Sequence, residues 1–157
     1  MDRAARAKEN FLKGYNCTQA VLLAFSDVIG LSEREALKVS APFGGGVGRM
    51  REICGTVSGM MLALGLIFYD SDHVTAEEKK ALYVREQELA SRFRAENGSI
   101  VCRELLSGVK TDASPYPDAR TPEYYKKRPC PQLCEQAAAI LEEYLREQGV
   151  LTDERGE

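Results

Sequence analysis

The segment TAEEKKALYVREQELASRFRAENG, residues 75–98, contains a helix start, a periodic interior and a helix stop in succession. Thr75 and Glu78 stand three apart in the capping-box pattern, in which each side chain serves the other residue's backbone N–H. Leu82, Leu89 and Phe93 fall on one helical face, and Gly98 supplies the residue type that ends a helix most readily. These signals predict a long helix to about Asn97. Strict period-2 alternation, the mark of a half-buried strand, is scarce here and in the rest of the chain.

The same signals recur outward from this segment. Upstream, Arg3 to Lys13 reads as a first helix ended by Gly14. Asn16 caps a second, Cys17 to Ile29, with Ala20, Val21, Ala24, Phe25 and Val28 inward and Gly30 closing it. Ser32 and Glu35 repeat the capping box for a third helix to about Ala41, ended by Pro42. Phe43-Gly44-Gly45-Gly46-Val47-Gly48 is the most irregular segment, and a helix follows from about Glu52 to Phe68. Downstream, Ser99 caps Ile100 to Leu106, halted near Gly108. Residues 109–128 hold Pro115, Pro117 and Pro122 and read as an irregular surface loop with one turn at Thr121 to Tyr125. Pro131 opens the last helix, whose apolar row is Leu133, Ala137, Ile140, Leu141, Tyr144 and Leu145. The expectation is an all-α fold: a single domain over residues 1–157, packed as a compact bundle of five to seven helices.

A chain of 157 residues with 44% hydrophobic and 29% charged residues belongs to the globular class. Its net charge of −3 and the absence of a basic stripe exclude nucleic acid as a partner. The charged stretch from Met1 to Tyr15 does not resemble a signal peptide. The most apolar run, Val57 to Tyr69, is shorter than the about 20 residues a bilayer requires. The expected setting is therefore cytoplasmic, with no membrane insertion.

Five cysteines in a reducing compartment imply metal binding, redox chemistry or simple burial. Four of them fall at expected helix starts. Cys17 follows the cap Asn16, Cys54 lies in the first turn of its helix, Cys102 is three past Ser99, and Cys130 precedes Pro131 as the expected cap. Helix N-termini stabilise anions and hence thiolates, and Lys126, Lys127 and Arg128 add positive charge beside Cys130. Taken singly, each cysteine could equally be a small core residue. Cys134 lies one turn beyond Cys130 on the same face.

The loop Gly44-Gly45-Gly46-x-Gly48 lacks the Lys-Ser/Thr pair of a nucleotide-binding P-loop. Glycines permit positive φ and close approach, so the loop's N–H groups suit a buried thiolate or cluster. Gly55, Gly59 and Ala63 form a smooth ridge suited to close helix packing. Arg49 and Arg51 flank Cys54 and either serve the site or face solvent. His73 reads as an exposed turn, Glu142 and Glu143 as a solvated face, and Tyr116, Tyr124 and Tyr125 either cover the site or pack on the bundle.

Asn16-Cys17-Thr18-Gln19-Ala20-Val21, the glycine loop, Cys54-Gly55-Thr56-Val57-Ser58-Gly59, Val101-Cys102-Arg103-Glu104-Leu105-Leu106 and Cys130-Pro131 together carry a resemblance. The chain resembles a redox-active protein family named for a Cys…Cys-Gly-Ala-x-x-Gly…Cys…Cys pattern, over roughly Gly14 to Glu143. The resemblance implies that Cys17, Cys54, Cys102 and Cys130 are the family cysteines. Thr56 replaces the usual alanine. Cys134 is additional, whether as a fifth ligand, a resolving thiol for Cys130 or a core residue. The chain also resembles part of the split-Soret cytochromes, whose iron–sulfur centre could carry over, whereas their haem motifs are missing.

Three readings follow. The first is an iron–sulfur cluster for electron transfer or sensing, with Cys17, Cys54, Cys102 and Cys130 as ligands and Gly44, Gly45, Gly46 and Gly55 cradling it. The second is metal-free thiol–disulfide chemistry, with Cys130 attacking and Cys134 resolving; any enzymatic activity would be of oxidoreductase type. The third is a non-catalytic helical domain whose cysteines are core or zinc residues. The implied partner is a redox protein, and a homo-oligomer stays open.

Overall fold

A computed structural model describes residues 2–152. Eight α-helices follow in order: α1 Arg3–Leu12, α2 Cys17–Leu23, α3 Glu33–Ser40, α4 Gly55–Phe68, α5 Ala76–Asn97, α6 Cys102–Leu105, α7 Pro122–Lys127 and α8 Cys130–Glu147. Among the described residues there is no strand, only an isolated antiparallel bridge between Ile53 and Val101. No helix there is long and apolar enough to cross a membrane. The all-α expectation holds, and six of the eight helices have seven or more residues.

The cap chemistry operates largely as the residue types demand. Asn16 and Gln19, and Ser32 and Glu35, form reciprocal capping boxes at the starts of α2 and α3. Thr75 caps α5 by accepting from Glu78 N–H, and Gly98 ends that helix with φ of 83°. The expected return contact from Glu78 goes elsewhere: its carboxylate accepts from the Asp70 N–H at 3.0 Å, because the preceding turn folds back over the helix start.

Several boundaries differ from the sequence expectation, and the single turn expected at Thr121 to Tyr125 is the six-residue helix α7. α2 stops at Leu23, and the chain to Ile29 tightens into turns in which Phe25 N–H bonds Leu22 O and Val28 N–H bonds Phe25 O. Asp27 thereby reaches the buried Arg3. α4 starts at Gly55 rather than Glu52, since residues 52–54 pair with 100–102 instead. α6 starts at Cys102 rather than Ile100, because Ser99 Oγ accepts from Val101 N–H in a preceding turn.

α2 lies at the centre, packed on α1, α3, α4 and α8, and α8 also crosses α1, α4 and α5. Ala20, Val21, Ala24 and Phe25 are fully buried, as are Leu89, Phe93, Ala137, Leu141 and Leu145. Each large apolar side chain of this kind contributes about 1.5–3 kcal/mol when withdrawn from water. The glycine ridge of α4 permits the α2 contact: a Cβ on Gly59 would lie 2.9 Å from the Val21 Cβ, and one on Gly55 2.8 Å from Thr18 Oγ1. Glu142 is not solvated as expected. It is 8% exposed and pairs with Arg3 and Arg146, because α1 lays Arg3 across that face of α8.

Candidate redox site

The cysteines come together through backbone pairing and helix crossing. Cys54 N–H donates to Ile100 O at 2.8 Å and Cys102 N–H to Glu52 O at 2.6 Å. This bridge sets the start of α4 against the start of α6, with one cysteine at each. Cys54 is the N-cap of α4, while Cys17, Cys102 and Cys130 are the first residues of α2, α6 and α8. Four cysteines therefore stand at helix starts, Cys17 behind its expected cap Asn16 and Cys102 behind Val101 rather than Ser99. Cys130 departs by one position: Pro129 is the N-cap, and Leu133 N–H bonds Pro129 O at 2.9 Å. The dipole argument applies most to α4 and α8, which run for several turns, and little to the single-turn α6.

The glycine loop adopts an unusual conformation. Gly45, Gly46, Val47, Gly48 and Arg49 all have positive φ, between 56° and 71°, and Arg51 follows at 61°. Such φ values cost non-glycine residues about 1–2 kcal/mol each, and a β-branched residue such as Val47 rarely adopts them. Hydrogen bonds from Arg49 N–H to Gly44 O, Arg51 N–H to Gly45 O and Glu52 N–H to Gly46 O hold the loop. At Gly44, Gly45 and Gly46 its geometry leaves no room for a side chain. A Cβ on Gly44 would lie 2.5 Å from Asn16 Nδ2, and one on Gly46 2.7 Å from the Cys102 Cβ. The N–H of Gly45 consequently faces the Cys17 sulfur and favours its thiolate. Gly55 packs its own edge against Thr18 and Cys17.

All five cysteines are free thiols. The thiol of Cys17 is held well above the ordinary range, first because Cys130 faces it as a hydrogen-bonding partner and second because it is desolvated. Gly45 and Arg120 pull it partly back. Burial and the nearby Cys17 push Cys54 up to about 12, against a lowering hydrogen bond with Thr56, whose Oγ1 lies 3.1 Å from the sulfur. The hydroxyl at the position where the resemblance expects alanine therefore touches the site. Burial also raises Cys102, opposed by Arg51, whose Nη1 stands 3.9 Å from its sulfur. Cys134 is fully buried, is raised well above its usual value by desolvation, and feels Cys17 and Cys54. The thiol partner of Cys130 is thus Cys17 on another helix, while Cys134 lies in the core one turn on.

A cavity of about 310 Å³ opens beside these groups, lined by Cys17, Cys102, Cys130, Gly44, Gly45, Arg49, Arg51, Asp118, Arg120, Tyr124 and Arg128 among others. Arg49 and Arg51, left open in the sequence, have side chains only 12% and 8% exposed. Of the basic run before α8, only Arg128 is buried; Lys126 and Lys127 are exposed, and Lys127 pairs with Glu123. Arg128 bonds Asp118 at 2.9 Å and stacks on Tyr124. Arg120 donates to the carbonyls of Phe11 and Tyr15 and lies over the Phe11 ring, so the proline-bearing loop is tied down across the site. Burial and the Cys130 charge raise Tyr124 to about 12. Tyr125 packs edge-on to Phe11, Tyr116 is exposed, and His73 is an exposed turn residue bonded to Asp70.

Asp118 and Arg120 were absent from the sequence reading. Their signal was a pair of opposite charges two residues apart in a proline-bearing segment, which also fits any solvated loop.

Among the described residues, no group of three or more His, Cys, Asp and Glu side chains is arranged to hold a metal ion. Cys17, Cys102 and Cys130 line the cavity, but Cys54 does not. A comparison with family models matches residues 15–144 to the family described as "Putative redox-active protein (C_GCAxxG_C_C)". That name spells its central element Gly-Cys-Ala-x-x-Gly. This chain reads Cys54-Gly55-Thr56-Val57-Ser58-Gly59, with the first two residues in the other order and threonine for alanine. No curated protein and no solved structure matches the chain.

Proposed function

The chain belongs to the redox-active C_GCAxxG_C_C family, and on that premise we propose that it carries out reversible thiol–disulfide exchange through Cys17 and Cys130. The observation that carries this reading is the facing of these two thiols at a cavity. Cys130 is the first residue of the long helix α8 and lines the cavity with Arg128. Cys17 keeps its proton and stands ready as the second thiol. In the forward step the Cys130 thiolate attacks an acceptor disulfide, forms a mixed disulfide and expels one thiolate. Cys17 then gives up its proton, attacks the Cys130 sulfur and expels the second thiol. The protein loses two electrons and the acceptor gains them.

The test is direct. Reduced protein treated with a small disulfide and digested under acid conditions should yield a Cys17–Cys130 cross-linked peptide that dithiothreitol reverses. Oxidation that leaves both residues as thiols would overturn the reading.

A second reading, an iron–sulfur cluster on the family cysteines, draws support from the cationic cavity and from the Gly45 N–H aimed at Cys17. The sulfurs as they stand do not form a ligand set around one centre, so the donors do not fit a cluster without rearrangement. Anaerobic purification separates the two readings: visible charge-transfer absorbance with stoichiometric iron favours the cluster, and a colourless, iron-free dithiol favours exchange.

A further inference from the structure

We infer that the cavity beside Cys17 and Cys130 binds a small disulfide bearing carboxylates, which the cysteine pair reduces. This rests on the thiol–disulfide reading and adds the substrate class. Four guanidinium groups, from Arg49, Arg51, Arg120 and Arg128, line the cavity with the carboxylate of Asp118, and Arg49 also pairs with Asp112 just outside it at 3.4 Å. Arg49 and Arg128 bond Asp118 at 3.0 and 2.9 Å. The donors of Arg120 go to neutral carbonyls and leave its charge uncompensated. Arg51 is 7% exposed, and its Nη2 is buried, 3.8 Å from Asp118, with no hydrogen-bond partner. A buried guanidinium N–H without an acceptor is a group awaiting one. Arginine favours carboxylates because its planar fork matches their two oxygens.

Size points the same way. A cavity of about 310 Å³ sits at the small end of ligand sites, which run from about 300 to 1,000 Å³. The reacting sulfurs line the same space, so a carboxylate held by Arg51 keeps its own disulfide within reach of Cys130. The overall change is one disulfide and the dithiol protein giving two small thiols and the Cys17–Cys130 disulfide, with two electrons transferred and no other reactant needed.

The experiment follows single-turnover oxidation of reduced protein by dithiodipropionate, hydroxyethyl disulfide and cystamine, each rate divided by that reagent's rate with a free small thiol. Suberate, in which methylenes replace the sulfurs of dithiodipropionate, serves as a redox-inert competitor. The dicarboxylate reagent should lead the neutral one by about tenfold or more, the effect of one charge-assisted hydrogen bond. Cystamine should be slowest, suberate should slow dithiodipropionate, and Arg51→Gln should bring the charge preference close to one. If Arg51→Gln does not fold, the wild-type rates with and without suberate decide. Equal normalised rates with a Cys17–Cys130 disulfide formed in each case would overturn the substrate class and leave the exchange reading intact. If no reagent forms that disulfide, the exchange reading itself fails, and the inference with it.

Discussion

A Cβ on Gly46 would stand 2.7 Å from the Cβ of Cys102, and as close again to the backbone nitrogen of Glu52. The glycine loop and the Cys102 turn thus touch through a side chain that is not there. Gly46 has φ of 71°, so alanine would be both strained and obstructed by backbone atoms that have little freedom to move.

Gly46→Ala should destabilise the fold by about 3 kcal/mol or more, combining left-handed strain with overpacking. Gly48→Ala is the control. Its φ is 56° but its Cβ would meet only the Met50 Cε, at 3.9 Å, so the cost should stay near about 1 kcal/mol. Urea denaturation of the two variants measures the difference, and equal midpoints would refute the steric argument.

Alkylation at neutral pH should modify Cys130 first. It lines the cavity at 8% exposure, whereas Cys17 on the same cavity and the fully buried Cys134 both have thiols held protonated well above the ordinary range. Cys130→Ser should abolish reversible oxidation while helical content is kept, and Cys134→Ser should retain it. Peptide mapping after timed iodoacetamide treatment gives the order. An indispensable Cys134 beside a silent Cys130 would reverse the assignment.

Stability should fall in alkali. The native state holds the Cys54 proton up to about 12 and keeps Cys17 and Cys134 protonated well above the usual range. The unfolded chain releases thiol protons near about 8.5. Between those values the unfolded state binds fewer protons than the native state, so unfolding becomes easier as pH rises. The stabilising contribution is complete below the unfolded value and is lost through the folded one. Urea midpoints measured at intervals from about 8 upward should decline, and Cys54→Ser should flatten the decline. A flat wild-type profile would contradict the burial of protonated thiols.

Thr56→Ala should raise the Cys54 thiol further. The Thr56 hydroxyl lies 3.1 Å from the sulfur and lowers its pKa, so removing it strips a partner from the thiolate. The pH profile of Cys54 alkylation should shift to higher pH. A shift to lower pH would mean that the hydroxyl accepts from the thiol rather than donating to the thiolate.

Most helices were legible in the sequence because their signals are local. Asn16 with Gln19, Ser32 with Glu35 and Thr75 with Glu78 act across three residues, and that spacing is visible without knowing the fold. Cysteines beside such caps could therefore be placed at helix starts. The displaced boundaries mark where long-range pairing overrode local preference. Residues 52–54 turned to meet 100–102, 48 positions away, rather than open α4 early.

Local signals alone were enough for an all-helical chain with four cysteines at helix starts, an irregular glycine segment and membership of a redox-active family. Tertiary structure decided which thiol faces which. Cys130 and Cys134 share a helix face, yet the crossing of α2 and α8 brings Cys17 to Cys130 and leaves Cys134 in the core. It also decided that Arg51, Arg128 and Asp118 converge while Lys126 and Lys127 remain in solvent. The reason is physical. Capping depends on hydrogen bonds within one turn, whereas the pairing of two sulfurs and the direction of a guanidinium depend on how separate helices pack, and close packing at Gly55 and Gly59 sets that distance.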